Sequence, residues 1–217
     1  MPVRVSESII LRTYPLREAD LIVSFFTRDE GKLRGVAKRA RRPANRFGCG
    51  MERLSYVNMH YDLRENRDLM TLDSCEIVRS QFPLSGDYST AVAGDFIAEV
   101  SDHMLPAHEP NERFFRLILT ATAHMIQRGA AGAMEAATYF SLWSVRLSGF
   151  LPELELEEED HAIASEMLVT PIQKLTPRAW TPATARGLRR QLISLMEEHV
   201  ERRILSVRAL ESLASAP

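Results

Sequence analysis

The chain has 217 residues, with 27 Lys and Arg against 29 Asp and Glu and a formal net charge of −2. That length holds one large domain or two small ones and buries roughly 70 % of the unfolded surface, so folding needs no disulfide or metal staple. No apolar run approaches the ~18–20 residues of a membrane span, and the opening MPVRVSESII lacks a signal peptide's hydrophobic core and small-residue site, so a reducing, cytoplasmic location is expected.

Residues 1–80 pattern as strands. VSESIILRTYP places Ile9 and Leu11 on one face. In ADLIVSFFT, Leu21, Val23 and Phe25 point one way and Ile22, Ser24 and Phe26 the other. RDEG at 28–31 is a turn ending on Gly31. KLRGVAK alternates, with Leu33, Gly35 and Ala37 opposite Lys32, Arg34 and Lys38. RARRPANRFGCG is loop, marked by Pro43, Gly48 and Gly50. LSYVNMHYDL and RDLMTLDSCEIV are two more strands, joined by a polar RENR turn at 64–67. Five strands with turn signals roughly every 12 residues suit a small closed barrel, because closure removes exposed edges.

Residues 81–217 pattern as helices. The first opens at Asp87 and stops at Pro106. The second opens at Asn111 and stops at Gly129, with Phe114, Leu117, Ile118, Ala121 and Met125 along one face. AMEAATYFSLWSVRLSG (133–149) is apolar almost all round, as the centre of a bundle would be. ELELEEEDHAIASE (153–166) reads as an acidic, solvated connector. The last long helix takes Thr181 as N-cap and Pro182 as its first residue, and buries Leu188, Leu192, Leu195 and Met196. The fold class expected is α+β: a five-stranded barrel over 1–80, then an all-helical domain over 81–217.

Charge divides the same way. Residues 1–80 hold 15 Lys and Arg against 11 Asp and Glu, whereas 81–217 hold 12 against 18. Within the basic half, GKLRGVAKRARRPANRFG (31–48) carries Lys32, Arg34, Lys38, Arg39, Arg41, Arg42 and Arg46 and no acidic residue. A cationic loop beside a barrel face suits a groove that tracks a single strand of DNA or RNA through its phosphates. Phe47 and Tyr56 are the nearest aromatics for base stacking, although a core role suits both better.

Enzymatic readings have little support. The chain lacks GxxxxGK[ST], GxGxxG after a strand, GxSxG and HExxH. His103 and His108 are five apart with Pro106 between them, unlike a metal pair on one helix face. The run Glu153, Glu155, Glu157, Glu158, Glu159, Asp160 lies on one connector, whereas a metal nuclease gathers carboxylates from several elements. Cys49 and Cys75 read as free thiols and cannot supply a four-ligand zinc site alone. Trp143 and Trp180 read as core or domain-interface residues. Arg186, Arg189 and Arg190 sit near a helix start that is already positive, so they pair either with the acidic connector or with a partner's acid.

The segment ESIILRTYPLREADLIVSFFTRDEGKLRGVAKRARRPANRFG, followed by LSYVNMHYDLREN and LDSCEIV, resembles the N-terminal part of RecO, a family of bacterial recombination mediators. The likeness extends through RLSGFLPEL (146–154) to ILSVRALESL at 204–213. It implies an N-terminal OB-fold barrel, a helical C-terminal domain and no catalytic residues. It implies binding to single- and double-stranded DNA, annealing of complementary strands, and loading of RecA with RecR onto DNA coated with single-stranded-DNA-binding protein, at the nucleoid during repair. Its DNA-contacting positions match Lys32, Arg34, Lys38, Arg41, Arg42 and Arg46. It also implies a pocket in the helical half for the acidic, Phe-ended tail of single-stranded-DNA-binding protein, for which Arg116, Arg128, Arg146 and Arg189 are candidates, with Leu147 and Phe150 as floor. Many members carry a four-cysteine zinc motif after LPEL. Here ELELEEEDHAIASEMLV stands in that place, so no metal or other cofactor is expected. Charge and barrel alone leave an RNA-binding OB protein, such as a ribosome-associated factor, as the alternative.

Overall fold

The computed structural model describes residues 3–62 and 69–213; the RENR turn lies outside them. Five strands are present among the described residues: β1 (Val3–Leu16), β2 (Asp20–Thr27), β3 (Gly31–Ala37), β4 (Tyr56–Asp62) and β5 (Met70–Arg79). They close into a barrel in the order β1-β2-β3-β5-β4, the five-stranded closed arrangement of an OB-fold. The length of β1 makes closure possible. Its first half pairs with β4, from Val3↔Asp62 to Ile9↔Tyr56, and its second half with β2, from Ser8↔Thr27 to Leu16↔Asp20. The short parallel pairing of β3 with β5 seals the other side. There Gly35 is packed so closely by Leu72 that a Cβ would collide with it.

The barrel interior holds Ile10, Val23, Phe25, Leu33, Ala37, Val57, Met59, Tyr61, Met70, Leu72 and Cys75, with Leu21 packed against them. Alternation in β2 and β3 therefore runs as expected. In β1 Ile10 points inward, and Ile9 lies opposite Phe26 on the outer face, where it is also buried. Beyond Ile10 the alternation is interrupted by a register shift between Ile10 and Arg12, which leaves Leu11 as an extra residue.

The chain divides into two compact units. The first contains residues up to Phe82 together with Ser101–Phe115, and the second contains Pro83–Val100 and the chain from Arg116 on. In the first unit, segment 101–115 covers part of the barrel's outer surface. Phe26 meets Phe114 and Phe115 with ring centroids 6.4 and 5.7 Å apart, and the Ser24 hydroxyl donates to Asp102. The His108 N–H donates to the Lys32 carbonyl at 3.1 Å. Gly31, at φ 76°, lies so close that a Cβ would strike the backbone of Glu109. Both the left-handed backbone and the contact require glycine there.

The helices are α1 (Tyr88–Met104), α2 (Glu112–Arg128), α3 (Ala130–Leu147), α4 (Glu158–Val169), α5 (Arg186–His199) and α6 (Val207–Ser212). Asp87 and Asn111 cap α1 and α2, accepting from the N–H groups of Thr90 and Phe114 at 3.1 and 3.0 Å. Helix α3 is buried along nearly its whole length and packs on both α4 and α5. A buried His124–Glu135 pair, 2.7 Å apart, ties α2 to α3. Trp143 is half-buried and donates from Nε1 to the Met167 carbonyl at 3.0 Å.

Two sequence expectations are corrected in the second unit. The acidic connector is partly helix: Glu158, Glu159 and Asp160 form the first turn of α4, where the helix dipole favours negative charge, and Ile163, Ala164 and Met167 supply its buried face. The last long helix begins at Arg186, not after Thr181. Residues 181–184 form a separate turn, in which the Thr184 N–H donates to the Thr181 carbonyl at 3.0 Å. The cap for α5 comes from a distant residue. Asp160 Oδ2 accepts from the Leu188 N–H at 2.9 Å, across Gly187, where a side chain would block it. Of the expected buried face, Leu188, Leu192 and Met196 are buried and Leu195 is only half-buried.

Candidate nucleic-acid interface

The basic stretch runs from β3 into the connection to β4, and the structure sorts its cations into three groups. Lys32 is half-buried and its ammonium donates to the Asp102 carbonyl. Burial pulls its pKa below the usual lysine value, against the opposing pull of Asp102. Lys32 is therefore engaged within its own unit and is set apart from the remaining cations. Arg46 is exposed and ion-paired with Asp73 at 2.8 Å.

Arg34, Lys38, Arg39, Arg41 and Arg42 form the third group. All five are exposed, and among the described residues none of their side chains is ion-paired with a carboxylate. The loop that carries four of them is nonetheless fixed at its root. The Arg41 N–H donates to the Ala19 carbonyl at 3.0 Å, and the Arg39 N–H to Asp20 Oδ1 at 2.8 Å, with Arg39 in the left-handed region at φ 57°. The Arg42 N–H closes a turn on the Arg39 carbonyl, and Asn45 Nδ2 braces the Arg42 carbonyl at 2.8 Å. Arg39, Arg42, Pro43 and Ala44 line a shallow surface cleft. A rigid root with unpaired guanidinium groups at its tip can hold phosphates without first ordering its own backbone.

The aromatics singled out beside this loop serve the fold. Phe47 is buried in the barrel core. Tyr56 donates to Glu7 and packs edge-on against Phe115, 6.0 Å between centroids. Sequence reasoning passed over Arg12 and Tyr14, which lie half-buried on the outer side of β1 close to Arg34: the guanidinium carbons of Arg12 and Arg34 are 5.0 and 5.9 Å from the Tyr14 ring centroid. Their i, i+2 spacing in LRTYP was the available signal, since it puts both on one strand face.

The thiols also lie in this unit. Cys49 is exposed and Cys75 buried, and burial pushes the Cys75 thiol up to about 11. Its sulfur points at the Phe47 carbonyl, 3.3 Å away. Among the described residues no three His, Cys, Asp or Glu side chains are grouped to hold a metal ion.

The second unit has its own arginine cluster. A cleft of about 470 Å³ is lined by exposed Arg186 and Arg190, buried Arg189 and the buried apolar side chains of Met134, Ile193 and Leu210, together with Pro182 and Glu211. Arg189 is buried, and its guanidinium donates to the Thr138 hydroxyl at 3.2 Å and to the carbonyls of Pro182 and Thr184. Burial pulls its pKa down to about 10, and Asp160 opposes that shift. The other partner-site candidates do not join this cleft. Arg146 lies over the Trp143 ring, Phe150 stacks on His199 with centroids 4.1 Å apart, Arg116 and Arg128 are exposed on α2, and Leu147 is half-buried at the end of α3. Among the described residues no helix is long and apolar enough to cross a membrane.

Residues 1–81 match the family model described as "Recombination protein O N terminal". The chain is 37 % identical to the DNA repair protein RecO of Koribacter versatilis, over 96 % of this chain and 98 % of that protein. It is 33 % identical to the RecO of Cutibacterium acnes over 71 % of this chain and 64 % of the relative. With the RecO of Bifidobacterium animalis subsp. lactis the identity is 34 %, over 65 % and 62 %. The match thus spans less than two thirds of each of these last two relatives. A closed five-stranded barrel of this topology, a family match over it, and a relative similar along nearly the whole length together make this chain a member of the RecO family.

Proposed function

We propose that this chain is a DNA repair and recombination mediator without catalytic activity of its own. It binds single- and double-stranded DNA through the loop after β3, anneals complementary strands, and with RecR helps load RecA onto DNA coated with single-stranded-DNA-binding protein. The observation that carries this reading is the group of five exposed cations, Arg34, Lys38, Arg39, Arg41 and Arg42, with no side chain ion-paired with a carboxylate among the described residues. Cations left side by side repel one another. A phosphate backbone relieves that repulsion and releases its counterions on binding, with no demand on sequence. Annealing follows from the same charge, because two polyanions approach only when both are neutralised.

The arginine-lined cleft of the helical unit suits the acidic, Phe-ended tail of single-stranded-DNA-binding protein. Met134, Ile193 and Leu210 offer an apolar seat for a terminal aromatic, and Arg186 and Arg190 offer donors to its carboxylate. On this reading the tail docks near Arg189 in preference to Arg116, Arg128 or Arg146.

The test is annealing of complementary strands coated with single-stranded-DNA-binding protein, run beside a competition between DNA and RNA single strands of equal sequence. Faster annealing with the protein, and DNA held at least as well as RNA, is the expected result. No acceleration, together with clear preference for RNA, would replace this reading by that of an RNA-binding OB protein.

A further inference from the structure

The register shift in β1 has a consequence for what the barrel can recognise. Side chains alternate along a strand, so with Ile10 inward an unbroken β1 would also send Arg12 and Tyr14 into the core. The extra residue, Leu11, re-aims them. Arg12 then lies opposite Ser24 and Tyr14 opposite Ile22, while β3 sets Arg34 opposite Ser24 and Val36 opposite Ile22. The outer face of the first three strands therefore carries two adjacent rows, Arg12–Ser24–Arg34 and Tyr14–Ile22–Val36, the first covered at buried Ser24 by Asp102, to which its hydroxyl donates. Both guanidinium groups lie against the Tyr14 ring, 5.0 and 5.9 Å from its centroid. Neither Arg12 nor Arg34 has a carboxylate partner among the described residues. A tyrosine between two cations, beside half-buried Ile22 and Val36, is an apolar and π-rich surface with positive edges. The loop of free cations is anchored at the same end of these strands. Its tie to Asp20 is two residues beyond Ile22, about 7 Å along the strand.

We propose that Arg12, Tyr14 and Arg34 form a stacking platform for unpaired nucleobases, by which the barrel distinguishes a single strand from a duplex. The inference rests on the reading that this side of the barrel binds DNA. Every base has a π-face, so stacking on tyrosine and on guanidinium planes is indifferent to sequence. It does require the base to be out of a helix, because in a duplex both faces are already stacked. The loop cations hold phosphates of either form, and the platform adds affinity only for the unpaired one.

The experiment is equilibrium binding of the full chain and its Tyr14→Ala and Tyr14→Phe variants to three ligands of equal length: a single-stranded oligonucleotide, the same oligonucleotide with its bases removed, and a duplex. Thermal melting establishes that both variants are folded. Tyr14→Ala is expected to weaken single-strand binding on the order of 10-fold. It should leave the duplex and the base-free strand within about twofold, because phosphate contacts are untouched. Tyr14→Phe, which keeps the ring, should bind as the parent chain does. Equal losses on all three ligands, or none on the single strand, would overturn the platform. If the parent chain binds neither single strand nor duplex, the DNA-binding reading beneath it falls as well.

Discussion

The loop after β3 and the cleft beside α5 both concentrate arginine, and they treat it in opposite ways. Arg39, Arg41 and Arg42 stand in water, and the loop is held in shape mainly through their backbones, with one long bond of 3.4 Å from the Arg41 guanidinium to the Glu18 carbonyl. Arg189 is drawn inside, where its guanidinium satisfies two backbone carbonyls and a hydroxyl. An exposed cation adds little to folding and remains available to a partner. A buried one costs desolvation unless every donor is used, and is then part of the core. Residue type therefore says little about role here; burial and hydrogen-bond partners decide it.

The largest expected effect follows from the buried member. Arg189→Ala removes the group that binds the Pro182 and Thr184 carbonyls and the Thr138 hydroxyl, leaving one buried and two part-buried acceptors without that donor. A loss of about 3 kcal/mol in unfolding free energy is expected, read by denaturant titration. DNA binding by the fraction that remains folded should be unchanged. A stability loss below about 0.5 kcal/mol would show that water or neighbouring side chains replace the guanidinium without cost, and would erase the contrast.

The exposed members should give the mirror image. The triple change Arg39→Ala, Arg41→Ala, Arg42→Ala should leave stability within about 0.5 kcal/mol and weaken binding to single strands of any sequence. If all three contact phosphates, the slope of log K against log salt should become shallower by roughly 0.7 per lost contact, about 2 in all. An unchanged slope would mean that the loop is only solvated.

Much of this arrangement could be read from residue order, and the exceptions have physical causes. The barrel followed from alternation in β2 and β3 and from the count and spacing of five strand-like stretches, and the helical half from apolar spacing and from the caps at Asp87 and Asn111. These signals are local. The start of α5 was misplaced because its cap is Asp160, a residue remote in sequence, so the nearby Thr181 and Pro182 looked sufficient. The first turn of α4 was taken for connector because three consecutive acids resemble a solvated link, although a helix N-terminus favours them equally well. In the site, the exposed cations were evident as a charge run. Lys32 belongs to the same run, yet its ammonium is turned to the Asp102 carbonyl by a segment seventy residues away, and nothing in the run signals that. Tyr14 was missed for the opposite reason: a bulge has no reliable sequence mark, and face assignments beyond it cannot be extrapolated.

Within the cleft itself the contrast can be sharpened residue by residue. Arg186 and Arg190 are exposed in its lining, whereas Arg189 is buried. Changing Arg186 and Arg190 together to Ala should leave stability nearly unchanged and weaken binding of an acidic, Phe-ended tail peptide about 10-fold, the scale of a charge-assisted hydrogen bond. Titration of a labelled peptide measures it. Unaltered affinity would move the tail site back toward Arg116, Arg128 or Arg146.

The smallest expected effect concerns Arg46, which belongs fully to neither class. It is exposed like the loop cations, but Asp73 holds it at 2.8 Å. An exposed pair of this kind contributes about 0.2–1 kcal/mol to stability, and the carboxylate both occupies the guanidinium and repels an approaching phosphate. Asp73→Asn removes that charge with little change of shape. Single-strand affinity should rise about twofold at low salt, and the gain should fade as salt screens the site. In an Arg46→Ala background the same change should give a smaller gain, because only the repulsion is left to remove. Equal gains in both backgrounds would show that Asp73 acts on DNA directly and that Arg46 is no latent contact. A loss of affinity would mean that the pair positions Arg46 for phosphate, placing it with the anchored arginines.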